Sequence, residues 1–236
     1  MTVLLAAHGT RNPHGVTMIG DLAAAVSRRL DEQVRVAFVD VLGPTPSQVL
    51  AELPDRDRVI VVPAFLARGY HVRADLPEHL AAAAHPGAIL TPALGPSPAL
   101  AEALAGRLRE AGSRRTDTVV LAAAGSSDPT AVADVRRVAT RLESLLGTRV
   151  TIGFAAPPAN SEHPHVDEAV QRARRSGRRV AVASYLLADG LFQRRLASSG
   201  ADVVAAPLGL HPRVVSLACR RVLSAQILAE TTRTTC

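Results

Sequence analysis

Three residues in the first half of this 236-residue chain stand out as able to do chemistry. His8 lies in Ala-Ala-His-Gly-Thr-Arg, Asp40 follows the apolar run 34–39, and His71 lies in Ala-Arg-Gly-Tyr-His-Val-Arg. Each comes just after a run of apolar residues. Two imidazoles and a carboxylate brought together suit a borderline divalent metal ion. They also suit proton abstraction near neutral pH, where imidazole titrates. Taken singly, a histidine beside a buried strand is as often a packing residue as a functional one.

The second half of the chain changes that balance. Ala6-Ala7-His8-Gly9-Thr10 matches Ala122-Ala123-Ala124-Gly125-Ser126 at an offset of 116, and Phe38 matches Phe154 at the same offset. Phe65-Leu66 corresponds to Tyr185-Leu186, and Gly69-x-His71 to Gly190-x-Phe192, with one residue inserted between. Ala93-Leu94-Gly95-x-x-Pro98 matches Pro207-Leu208-Gly209-x-x-Pro212. Matches in order along the chain mark an internal duplication. In the second copy the counterparts of His8, Asp40 and His71 are Ala124, Ala156 and Phe192. The fold builds the same turns without the polar groups, so these groups serve something other than folding.

The elements that must position them follow from periodicity. Short apolar runs at 2–7, 34–39, 59–64 and 88–91 read as buried strands, and 16–30, 47–53, 76–84 and 97–111 as amphipathic helices. The alternation repeats, with strands at 118–123, 149–154, 179–184 and 203–206 and helices at 130–146, 166–176, 192–198 and 212–229. Such alternation implies an α/β fold of two duplicated open parallel sheets, Rossmann-like, with helices on both faces. The polar segment 112–116 divides an expected N-terminal domain, 1–112, from a repeat domain, 117–230, followed by a flexible tail, 231–236. Open α/β sheets bind ligands beyond the carboxyl ends of their strands, where the matched motifs fall. The expected site is a cleft between the two halves.

Composition narrows the function. Hydrophobic residues are 47% and aromatics 3%, so the core is aliphatic. Two cysteines exclude a disulfide scaffold and an all-cysteine metal site. No apolar run reaches the ~18 residues of a membrane span, and the segment 1–8 lacks the character of a signal peptide. A cytoplasmic protein without a membrane partner is expected. The net charge is +6, but every basic residue is arginine, dispersed rather than in a block. With few aromatics to stack on bases, nucleic acid is not an expected partner. No Walker or dinucleotide glycine motif is present.

On these motifs the chain resembles the sirohydrochlorin chelatases, the small class II tetrapyrrole chelatases that include siroheme ferrochelatases and early-pathway cobaltochelatases. The resemblance spans roughly residues 2–225. It rests on Leu-Ala-Ala-His-Gly-Thr-Arg, on Val-Pro-Ala-Phe-Leu-Ala-Arg-Gly-Tyr-His-Val-Arg-Ala-Asp-Leu-Pro, on Ala-Gly-Ser-Ser-Asp-Pro and on Ala-Pro-Leu-Gly-Leu-His-Pro. It implies insertion of Fe²⁺ or Co²⁺ into sirohydrochlorin without ATP or a prosthetic group. Because an internally duplicated chain can close its own cleft, a monomer or weak homodimer is expected. The resemblance places His8 and His71 on the metal, and Asp40 where the family more often has glutamate. Thr10, Arg11, Arg68, Tyr70, Arg73 and Phe192 are the expected substrate contacts, the arginines pairing with the eight carboxylates of the macrocycle. With ordinary histidine pKa values, activity should rise between about pH 6 and 8.

Other candidates carry blander readings. Glu162-His163-Pro164-His165 reads as a charged turn before a helix. Asp128-Pro129 and His211-Pro212 read as helix starts. His14, His79 and His85 read as surface residues, and Cys219 as core. A histidine-phosphatase-type enzyme would place arginine before the first histidine, where this chain has Ala7. A non-catalytic metal or tetrapyrrole carrier would use the same residues as a chelatase and differ only in turnover.

Overall fold

The structure, a computed structural model, describes residues 1–159 and 161–234. Among these residues it contains two four-stranded parallel sheets. The first has the order β2-β1-β3-β4, with β1 Thr2–Ala7, β2 Gln33–Phe38, β3 Val59–Pro63 and β4 Ala88–Leu90. The second repeats it as β6-β5-β7-β8, with β5 Thr118–Ala123, β6 Val150–Phe154, β7 Val180–Tyr185 and β8 Val203–Val204. Every residue of β1 is buried, as a central parallel strand covered on both faces requires. No helix among the described residues is long and apolar enough to cross a membrane.

Sheet register makes the duplication exact enough to assign counterparts. Ala6 pairs with Pro63 in the first sheet and Ala122 with Ser184 in the second. Pro63 therefore corresponds to Ser184, and at the same spacing Phe65 corresponds to Leu186 and His71 to Phe192. The expected match of Phe65 with Tyr185 is off by one residue, because the insertion precedes β7 rather than following it.

The helices are α1 Pro13–Leu30, α2 Pro46–Ala51, α3 Leu76–Ala83, α4 Pro98–Glu110, α5 Pro129–Leu146, α6 Val166–Arg174, α7 Leu191–Ala197 and α8 Pro212–Thr234. A π-helical turn, His71–Asp75, leads directly into α3. The starts are chemically marked. Asn12 and Asp128 cap α1 and α5 through side-chain oxygens that accept from the N–H groups of His14 (3.1 Å) and Thr130 (2.8 Å), and proline follows each cap. Each such cap contributes about 1 kcal/mol.

The compact units do not divide at 112–116. One comprises Met1–Leu94 and Val214–Cys236, the other Gly95–Arg213. The polar loop marks a solvated turn, while packing decides membership. In the second unit α4 buries Leu100, Leu104 and Leu108, and Gly106 lies where a Cβ would come within 2.7 Å of His211 Nε2. Arg107 donates to the Leu208 carbonyl at 3.1 Å. In the first unit, Arg221 of α8 donates to the Ala93 carbonyl at 3.0 Å. Helix α8 also takes in residues 231–234 of the segment expected to be a tail, and 235–236 lie outside the described residues.

Candidate metal centre

The site is built by the loops that leave β1, β2 and β3. Beyond β1, Gly9 adopts φ +93°, a conformation that side chains resist. Glycine is required for a second reason, since a Cβ there would stand 2.1 Å from the Asp40 carbonyl oxygen. The β2 loop is laced to the β1 loop by the N–H of Val39 to the Ala7 carbonyl (2.9 Å) and that of Asp40 to the His8 carbonyl (3.1 Å). The second unit repeats this construction. Ala155 and Ala156 donate to the carbonyls of Ala123 and Ala124 at 2.8 Å each, and a Cβ on Gly125 would meet the Ala156 oxygen at 2.1 Å. One backbone scaffold thus presents His8 and Asp40 in one unit and two alanines in the other.

His71 opens the π-helical turn beyond β3. Its ring centroid lies 4.5 Å from that of His8, with Phe65 at 6.3 Å and Tyr70 at 6.4 Å. Donor atoms of His8, Asp40 and His71 all fall within 4.8 Å of one another. Ligands about 2.1 Å from one ion stand roughly 3–4 Å apart, so a small closure would complete the set. Among the described residues no other three His, Cys, Asp or Glu side chains converge this way.

Asp75 is the residue that sequence reasoning missed. Its Oδ2 bonds Nδ1 of His71, four residues earlier in the same turn. A carboxylate on Nδ1 fixes the proton there and leaves the Nε2 lone pair for a metal. The counterpart of Asp75 is Leu196, fully buried in the core of the second unit. The signal was present in the His71 segment, as a carboxylate at the spacing that shares one helical face.

The electrostatics favour a neutral His8. Loss of water around the ring lowers its pKa below the ordinary 6.5, and His71 beside it acts in the same direction. Asp40 and Asp75 oppose the shift without reversing it. The residue as a whole remains exposed. A neutral, accessible imidazole is the form that accepts a metal ion.

The remaining expected residues divide. Tyr70 is 64% exposed at the rim beside His71. Arg11, Arg68 and Arg73 are exposed on the same loops. The Thr10 hydroxyl accepts from the Asn12 N–H at 3.1 Å, as that of Ser126 does from Asp128 at 3.0 Å, so both halves use this hydroxyl to shape the turn. Phe192, on α7, is 38% exposed, with the Arg195 guanidinium 5.9 Å above its ring. Arg195 also donates to the Ala155 carbonyl at 3.0 Å.

Three of the blander readings hold. Asp128 caps α5 as expected, Nδ1 of His211 accepts from the Arg213 N–H at 3.2 Å, and Cys219 is buried. His165 stands at the N-cap of α6, and His163 lies against Phe154 with centroids 5.2 Å apart. One histidine departs from the surface reading: His85 is buried, its Nδ1 accepting from the Gly87 N–H at 3.2 Å. His79 is half-exposed and bonds the Ser47 hydroxyl at 3.2 Å.

Comparison with known proteins places the chain in a family. A sirohydrochlorin cobaltochelatase of Methanothermobacter thermautotrophicus is 35% identical over 80 residues, covering 33% of this chain and 56% of that protein. One from Methanopyrus kandleri is 32% identical over 83 residues, covering 34% of this chain and 58% of that protein. The chain thus spans a little over half the length of these curated relatives. A solved structure of SirB from Bacillus subtilis with Fe³⁺ superposes with a TM-score of 0.82 at 21% identity, covering 98% of this chain and 97% of that one. That likeness establishes the two-sheet fold. The CbiX family model matches residues 2–111 and again 118–225, one match for each copy of the duplication, and the chain belongs to the CbiX family.

Proposed function

We propose that the protein inserts a divalent metal ion, Fe²⁺ or Co²⁺, into sirohydrochlorin, as an ATP-independent chelatase of the lyase class. The observation that carries this reading is the convergence of His8, Asp40 and His71 at the strand ends of one unit, where the same scaffold in the other unit carries Ala124, Ala156 and Phe192. The names of the curated relatives and of the metal-bound SirB structures support the substrate pair.

The residues divide the work as follows. His8 and His71 offer neutral nitrogens to the incoming ion, which sheds water as it binds. The Asp40 carboxylate offsets the charge of the bound ion; as the ion passes to the free-base macrocycle two pyrrole protons leave, one accepted by Asp40 and the other passing to solvent. Asp75 holds His71 in the tautomer that presents Nε2. Arg11, Arg68 and Arg73 pair with peripheral carboxylates, and the exposed ring of Tyr70 offers a flat apolar contact to the macrocycle. The metal is a substrate, and the reaction needs no prosthetic group.

Turnover separates a chelatase from a carrier. Under anaerobic conditions, catalytic amounts of protein with excess sirohydrochlorin and Fe²⁺ or Co²⁺ should convert many equivalents to metallated product, read by absorbance above a protein-free control. Saturation at one equivalent of bound macrocycle or metal would identify a carrier instead.

A further inference from the structure

The backbone beside Asp40 is held in a conformation its sequence resists. Val41 has φ +70°, and the N–H of Leu42 donates back to the Asp40 carbonyl at 2.8 Å, closing a three-residue γ-turn centred on Val41. A β-branched residue at positive φ is an outlier. Among the described residues the other non-glycine residues at positive φ, Asp31 and Ala84, are helix C-caps, where left-handed backbone is ordinary. Val41 caps nothing, and its side chain is 45% exposed, so packing of that side chain does not hold it there.

Its N–H instead donates to Oδ1 of Asp40 at 2.6 Å. The Asp40 main chain is gripped on each side, its N–H on the His8 carbonyl and its own carbonyl on Leu42 and over Gly9. Only the carboxylate is left to choose a direction, and Val41 N–H chooses it. The second unit supplies the comparison. Its loop makes the same crossing, but the counterpart of Val41 is Pro157, whose ring holds φ near −65° and which has no N–H to give. The fold therefore does not need the left-handed turn. It occurs in the unit where a carboxylate must meet two imidazoles.

We propose that Val41 is a positioning residue for metal capture: its left-handed backbone closes the turn that aims the Asp40 carboxylate at His8 and His71. This rests on reading those three residues as the metal-handling site. Backbone strain persists where the surroundings over-determine it, and such places cluster at functional sites. Aiming Asp40 in advance spares the incoming ion the task of ordering it.

The test is Co²⁺ binding to the full chain, followed by its visible d–d absorption and by calorimetry, alongside melting temperature. Val41→Pro copies the second unit, which shows that the loop crossing tolerates proline. It should weaken Co²⁺ about tenfold or more and alter the absorption bands, while the fold melts cooperatively. Val41→Gly keeps both the N–H and positive φ, and should recover most of the lost affinity. Wild-type affinity and bands in Val41→Pro, with Asp40→Ala strongly impaired, would overturn the positioning role and leave the site intact. Wild-type binding in Asp40→Ala would overturn both.

Discussion

Nδ1 of His71 is bonded to the Asp75 carboxylate one turn along the same π-helical segment, so the nitrogen that remains for chemistry is Nε2. Substituting Asp75→Asn keeps the size and removes the charge. Metal affinity should fall about tenfold to a hundredfold, as it does when a carboxylate behind a ligating histidine is lost. Titration with Co²⁺ measures it. Unchanged affinity would mean that the orientation of His71 is set elsewhere.

The pH dependence follows from His8. Its folded pKa is lowered, chiefly by burial, so protonation is resisted and the neutral ring persists to lower pH than in free imidazole. Protons and metal compete for the same lone pair, so the acid limb belonging to His8 should lie below pH 6.5. This moves part of the limb below the range of about pH 6 to 8 that ordinary values give. Asp75 raises the His8 pKa, so Asp75→Asn should lower it further. NMR titration of the His8 ring protons checks both, and a midpoint at or above 6.5 would contradict them.

Much of this architecture was legible in the residues. The alternating runs located all the strands within a residue or two, because fully buried parallel strands such as Val59–Pro63 read as unbroken apolar segments between helical patterns. The duplication pointed to His8, Asp40 and His71, since in the repeated turns all three give way together to residues without a ligand group. Membership of α4 and α8 was not legible. Both are amphipathic helices after matched Leu-Gly-x-x-Pro motifs, and periodicity says which face is buried but not against which sheet. Asp75 lies beyond the matched motifs, and its contrast with Leu196 shows only once the register of β3 and β7 fixes the offset. The Val41 turn was hidden for a different reason, since valine is the last residue whose sequence signal would suggest positive φ.

In the proposed reaction one unit carries the chemistry through two imidazoles. The most direct measurement is the initial rate of Co²⁺ or Fe²⁺ insertion into sirohydrochlorin by His8→Ala and His71→Ala beside the wild type. Circular dichroism and melting temperature on the same preparations report the fold. Both substitutions copy the inert character of Ala124 and Phe192, so folding should be retained while insertion falls nearly to the protein-free rate. Wild-type insertion by both folded variants would contradict the account.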